Sequence, residues 1–129
     1  MPKLFLVFNH TFTLSQQENA RSELGVDSIL EPPLELRRQW ANIPPNVASL
    51  QPWLQPMCDW LATYAQPEDF VLIQGDFGAC YLLVRFALER NLIPIYATTE
   101  RHAHEERLDD RRVKLEHTFD HVRFRRYGV

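Results

Sequence analysis

Short runs of consecutive apolar residues alternate along this chain with stretches where apolar residues recur every three or four positions, a pattern that predicts strands separated by helices. Lys3-Leu-Phe-Leu-Val-Phe8 is the first run, rich in β formers and stopping at Asn9-His10, as expected of a strand buried on both faces. Thr13-Leu-Ser-Gln16 fits a capping box and Gly25 supplies a stop, so a helix is predicted over 14–24. Val26 to Glu31 reads as a weak second strand, ended by Pro32-Pro33. Pro33 can open a short helix carrying Leu36 and Trp40, followed by a loop at Asn42-Ile-Pro-Pro-Asn46.

Leu50, Trp53, Leu54, Met57, Trp60, Leu61 and Tyr64 recur at helical spacing, but Pro52 and Pro56 interrupt them, which predicts a broken helix over 47–65. Phe70-Val-Leu-Ile-Gln74 is the second strongly strand-like run. After Gly75-Asp-Phe-Gly78 comes a helix whose apolar face is Ala79, Leu82, Leu83, Phe86 and Ala87. Ile93-Pro-Ile-Tyr-Ala97 is a further strand, and its Pro94 points to a sheet edge or a strand start. His102 to Arg107 and Arg112 to Arg126 read as two arms of a hairpin joined by Leu108-Asp-Asp-Arg111. The order β-α-β-α-α-β-α-β-hairpin predicts a Rossmann-like α/β fold, a parallel sheet wrapped by helices with right-handed crossovers and a C-terminal β-hairpin. No internal repeat, low-complexity tract or linker divides it, so a single domain over 1–129 is expected.

Composition narrows the class. At 129 residues with 45% apolar and 24% charged positions, the chain has the makings of one ordinary core and lacks the signature of disorder. No apolar run approaches the roughly 20 residues of a membrane helix, and no signal-peptide pattern is present, so a cytoplasmic protein without membrane contact is expected. Cys58 and Cys80 then read as free thiols. The net charge of −3 argues against long nucleic acid as a partner. The charge is uneven: residues 1–100 carry 6 basic against 11 acidic groups, and residues 101–129 carry 8 against 6. A short basic segment on an acidic body suits a small, localised anion.

Three predicted strands end in polar groups: Asn9-His10, Gln74-Gly75-Asp76, and Thr98-Thr99-Glu100-Arg101. In a parallel sheet these ends share one edge, where ligands of open α/β sheets bind. Gly75 and Gly78 allow tight turns, and with Phe77 they open a helix whose first N–H groups form an anion cradle; equally, Asp76 can cap that helix and the glycines merely turn the chain. The His10 imidazole can serve as general acid or base, or be an exposed histidine without a role. Thr98, Thr99 and Arg101 offer donors matched to phosphate oxygens, though threonine also favours strands and arginine is commonly a solvated charge. His102, His104, His117 and His121 match no zinc spacing, so no metal or other cofactor is expected. Cys80 lies near a helix start but borders an apolar face, and reads as a buried structural thiol. Trp40, Trp53 and Trp60 read as packing residues.

Taken together, Phe8-Asn-His10, the stretch Leu36 to Trp40 with Asn42-Ile-Pro44, Leu72-Ile-Gln-Gly-Asp-Phe-Gly78, Pro94-Ile-Tyr-Ala-Thr-Thr-Glu-Arg101 and His121-Val-Arg-Phe-Arg125 resemble the small Csx-type CRISPR-associated ancillary proteins of the family numbered twenty. The resemblance covers nearly the whole chain. It implies a CARF-like homodimer that binds cyclic tetra-adenylate and, as a ring nuclease, cleaves it to switch off type III CRISPR signalling. Catalysis would fall to His10 and Arg101, and ligand binding to Asn9, Gln74, Gly75, Asp76, Phe77, Gly78, Thr98 and Thr99. Asn9 stands where that pattern leads one to expect a serine, a departure that bears on cleavage rather than on binding. A protein that only sequesters the messenger is the alternative.

Overall fold

The computed structural model describes the backbone of residues 1–107 and 113–129 and the side chains of residues 1–101 and 120–129. Its elements are β1 (Lys3–Val7), α1 (Leu14–Leu24), β2 (Ser28–Leu30), α2 (Leu34–Ala41), α3 (Gln51–Tyr64), β3 (Phe70–Ile73), α4 (Phe77–Glu89), β4 (Ile93–Arg107) and β5 (Val113–Arg126). The five strands form one sheet in the order β2-β1-β3-β4-β5. The first four are parallel, and β5 runs antiparallel to β4. The fold is thus mixed α/β, a mostly parallel sheet flanked by helices and closed on one side by an antiparallel hairpin. The predicted turn, Leu108-Asp-Asp-Arg111, lies outside the described residues.

Because side chains alternate across a strand, each buried run feeds two cores. Phe5, Val7, Val71 and Ile73 pack with α2, α3 and α4 through Trp40, Leu54, Leu61 and Leu83. On the opposite face Leu4, Leu6, Phe70, Leu72, Ile95 and Phe124 pack with Phe12, Ala20 and Val26 around α1. Opposite placement of α1 and α4 is what right-handed crossovers require, since β1 to β2 and β3 to β4 step across the sheet in opposite directions.

Local chemistry sets several boundaries as expected. Thr13 and Gln16 form the reciprocal capping box, and Gly25 ends α1 with φ of 68°. Two expectations need correction. The helix over 47–65 is not broken: α3 runs continuously with Pro56 inside it. Pro52 and Pro56 lie four apart on the exposed face, so the one carbonyl left without a helical donor, that of Pro52, faces solvent near the first turn. Likewise, the strand starting at Ile93 does not stop at Ala97 but continues through Arg107 as β4. Pro94 marks a strand start and not an edge, because β4 is paired on both sides, to β3 and to β5.

The β4–β5 pair carries a register shift between Thr98 and Thr99. Thr98 pairs with Arg123 and Thr99 with His121, so Val122 is the extra residue of a bulge. The bulge turns His121 onto the α1 side with Phe124, where their rings lie 4.7 Å apart. His121 Nε2 there donates to Asn19 Oδ1 of α1 at 2.8 Å.

Candidate functional site

The carboxyl edge of the parallel sheet is fixed by register: Val7 pairs with Ile73, and Leu72 with Ile95. Chain order reverses between β1 and β3, so the crevice beyond their ends is the topological switch point of this sheet. The Trp40 indole, buried in the core, packs against the turn that follows β3. Its Nε1 donates to the Gln74 carbonyl at 2.9 Å, and a Cβ on Gly75 would stand 2.9 Å from the same nitrogen. Gly75 is therefore demanded by the ring packed against it. A second indole, Trp53, donates to the Gln39 carbonyl at 3.0 Å and ties α3 to α2.

Two cavities lie at this edge. On the β1–β2 side, Asn9 and His10 share a polar cavity of about 260 Å³ with Glu31, Arg37, Arg38 and Asn42. β1 delivers the first pair, and α2, started after Pro32-Pro33, delivers the arginines from its middle and last turn. His10 is exposed and touches the Phe8 ring edge-on at 5.4 Å. No described residue hydrogen-bonds its imidazole. Arg37 Nη1 lies 3.5 Å from Glu31 Oε2, with both side chains substantially exposed, a pair of small energetic worth. Arg37 Nε, by contrast, is enclosed and has no hydrogen-bond partner among the described residues. The arrangement sets a proton-transfer group beside two permanent cations, which suits a phosphate ester undergoing cleavage or simply being held.

On the β3–β4 side lies a cavity of about 490 Å³ lined by Gln74, Gly75, Phe77, Cys80, Tyr81, Val84, Tyr96 and Tyr127. Tyr127 donates its hydroxyl to the Ile73 carbonyl at 2.6 Å, and its ring tilts against Tyr96 at 4.9 Å. Burial, with the neighbouring Cys80 and Tyr96, pushes the Tyr127 phenol up to about 12. Burial likewise raises the Cys80 thiol to about 11, more than a backbone hydrogen bond from Gly75 lowers it. The Cys58 thiol is raised to about 11 by burial and the nearby Asp59. Neither cysteine is a ready nucleophile, and both are free thiols.

Several residues singled out from sequence are engaged by the fold itself. Asp76 caps α4, its Oδ2 accepting from Ala79 N at 3.0 Å. Gln74 Oε1 accepts from Ala97 N at 2.8 Å, bridging β3 and β4. The Thr98 hydroxyl donates to the Arg123 carbonyl at 3.1 Å and accepts from Arg123 N at 3.2 Å, closing the bulge. Gly78 meets only ordinary contacts, Asp76 Oδ2 at 3.5 Å and Leu50 Cδ1 at 3.7 Å from a built Cβ, so no steric demand explains it. Phe77 stands at the rim of the aromatic cavity, 95% exposed.

Thr99 and Arg101 are exposed on β4 beyond the edge. Arg101 stands five residues past Tyr96, or roughly 16 Å along an extended strand. It is therefore not at a strand end shared with Asn9-His10, as the sequence pattern suggested. His102, His104 and His117 lie outside the described side chains. Among the described residues, no three or more His, Cys, Asp or Glu side chains gather as a metal site. Arg37, Arg38 and Tyr127 were not legible as site residues. The arginines lie on an ordinary amphipathic helix, and only the docking of α2 brings them to His10.

Class and family follow in turn. Strand order and cavities define an α/β protein with paired polar and aromatic cavities at the carboxyl ends of its parallel strands. The chain belongs to the uncharacterized protein MJ1673 family, whose model matches residues 2–125. It is similar to "Uncharacterized protein MJ1673" of Methanocaldococcus jannaschii, with 46% identity over 128 residues, covering 99% of this chain and 98% of that protein. No solved structure matches it. Among the described residues, no helix is long and apolar enough to cross a membrane.

Proposed function

We propose that this protein is a CARF-like, Rossmann-type ring nuclease. It binds a cyclic oligoadenylate, most suitably the four-membered ring, along the carboxyl edge of its sheet and cleaves it, ending a type III CRISPR signal. The observation that carries the reading is the single cavity holding Asn9, His10, Arg37 and Arg38 at the end of β1. A ribose 2′-hydroxyl of the ligand attacks the adjacent phosphorus in line. The bond from phosphorus to the 5′-oxygen breaks, leaving a cyclic 2′,3′-phosphate and a 5′-hydroxyl. The nucleophile comes from the ligand, so the protein has only to orient the phosphate, balance its charge and move the proton. The guanidiniums hold the phosphate, and the His10 imidazole takes the proton from the 2′-hydroxyl or gives one to the 5′-oxygen. A homodimer would offer a four-phosphate ring two copies of this edge, matching its rotational symmetry.

The test is a single-turnover incubation of cyclic tetra-adenylate and cyclic hexa-adenylate with excess protein, resolving linear products. His10→Ala is expected to slow cleavage by about 10² to 10⁴-fold with binding largely kept. Equal rates for wild type and variant would remove His10 from the chemistry. A second reading, capture of the ring without cleavage, is favoured by one observation: no described side chain fixes the tautomer of His10. Tight binding with no linear product would establish it.

A further inference from the structure

The polar cavity accounts for a phosphate and a proton, but leaves the aromatic cavity beyond β3 and β4 without a role. Four aromatic side chains line it, and two are conspicuously uncovered for a protein body: Phe77 is 95% exposed and Tyr81 62%. They lie four apart on the first turns of α4, so they share a face and stand over the same space. Neither is part of the core packing of α4, whose inward face is Ala79, Leu83 and Ala87; the Arg85 guanidinium lies 5.7 Å from the Tyr81 ring centre. Exposed aromatic surface in a contiguous patch marks a binding site more often than an accident of composition.

We propose that this cavity is a nucleobase pocket, with the base stacked against the aromatic walls and its sugar-phosphate directed along the sheet edge; this rests on the nucleotide reading above and extends it to the base. The volume of about 490 Å³ falls within the range of small-ligand sites and exceeds what one base needs. Lining groups are mainly apolar, as stacking requires. The polar exception is aimed by the fold: Gln74 has its amide oxygen fixed by Ala97 N, and its amide N–H donors are engaged by no described residue. Those donors suit the ring-nitrogen acceptors of a purine. Tyr96 is itself held by Arg125, whose Nη1 donates to the phenol oxygen at 3.1 Å while the guanidinium lies 5.5 Å from the ring centre. A wall fixed in this way loses little freedom on binding, and the cation behind it favours an anionic ligand.

The experiment compares adenosine 5′-monophosphate with ribose 5-phosphate on the full chain by calorimetry or ligand-observed NMR. Phe77→Ser and Tyr81→Ser serve as variants, since both side chains are exposed and neither should disturb folding. The mononucleotide is expected to bind in preference to the sugar phosphate, and each variant to weaken it by about 5- to 100-fold with an unchanged melting temperature. Equal affinity for the two compounds, or variants that bind as wild type does, would overturn the pocket. So would a Phe77→Ser protein that changes from dimer to monomer with nucleotide affinity intact, which would assign the patch to a second copy. Binding of the mononucleotide without binding of any cyclic ring would sink the ring-nuclease reading and leave the pocket standing. Ring cleavage untouched by both variants would do the reverse.

Discussion

The two ends of the sheet hold similar residue types in opposite conditions. At the amino end a cavity of about 600 Å³, larger than either at the carboxyl end, is lined by Gln66, Glu68, Asp69 and Arg126. Its one buried carboxylate, Asp69, accepts from Lys3 N and Gln66 N at 2.9 Å each and lies 3.6 Å from Lys3 Nζ. Those bonds start β1 and β3 in register, so the acid is wholly committed to the fold. At the carboxyl end His10 has no hydrogen-bond partner among the described residues, and Arg37 Nε is enclosed without one. Cavity size thus says less about function than whether polar groups are already satisfied. A binding end is recognised by hydrogen-bonding capacity the fold leaves unused.

Breaking this contrast at its strongest point means removing Asp69. Asp69→Ala leaves two part-buried N–H groups without their acceptor and is expected to cost about 2 kcal/mol, a fall of about 8 °C in melting temperature. His10→Ala, at the other end, should change stability by no more than about 0.5 kcal/mol. Paired thermal melts decide it, and similar losses for the two would erase the distinction between the ends.

The carboxyl end itself can be sharpened through Gly75. A methyl group there meets the Trp40 ring at under van der Waals distance, so Gly75→Ala is expected to lose about 1–3 kcal/mol in urea unfolding and to shift tryptophan fluorescence. An unchanged midpoint would mean that Trp40 swings aside easily.

A smaller effect concerns the anchorage of the β4–β5 pair. Burial holds the His121 imidazole below its ordinary value of 6.5, with Nε2 bonded to Asn19 and Nδ1 enclosed without a partner. On acidification the unfolded chain takes up this proton before the folded one. The stabilisation is therefore complete above about pH 6.5 and is lost as pH falls through the lower, folded value. Melting temperature from pH 7.5 to 5 should fall less in His121→Gln than in wild type. Identical slopes would show that protonation of His121 is not linked to folding.

Much of the local architecture could be read from residues close together in the chain. The α1 helix is written in Thr13, Gln16 and Gly25, all within 13 positions, and β1 and β3 in unbroken apolar runs, because caps and burial periodicity act over a few residues. The site was legible only in part. Asn9, His10 and the Gln74–Gly78 turn do stand at the carboxyl edge, since a strand end fixes its own neighbours. Arg101 does not, because pairing with β5 carries β4 on past that edge and no local signal announces where a partner strand will end.

The sequence by itself determined where strands and helices begin and which polar groups follow β1 and β3. Only the tertiary structure decided that β1 lies between β2 and β3, that Trp40 reaches Gln74 and obliges residue 75 to be glycine, and that Arg37 and Arg38 meet His10. The division has one physical cause. Secondary structure answers to propensities and hydrogen bonds within a turn or two, whereas contacts between residues about 30 positions apart are set by how whole elements bury their apolar faces together.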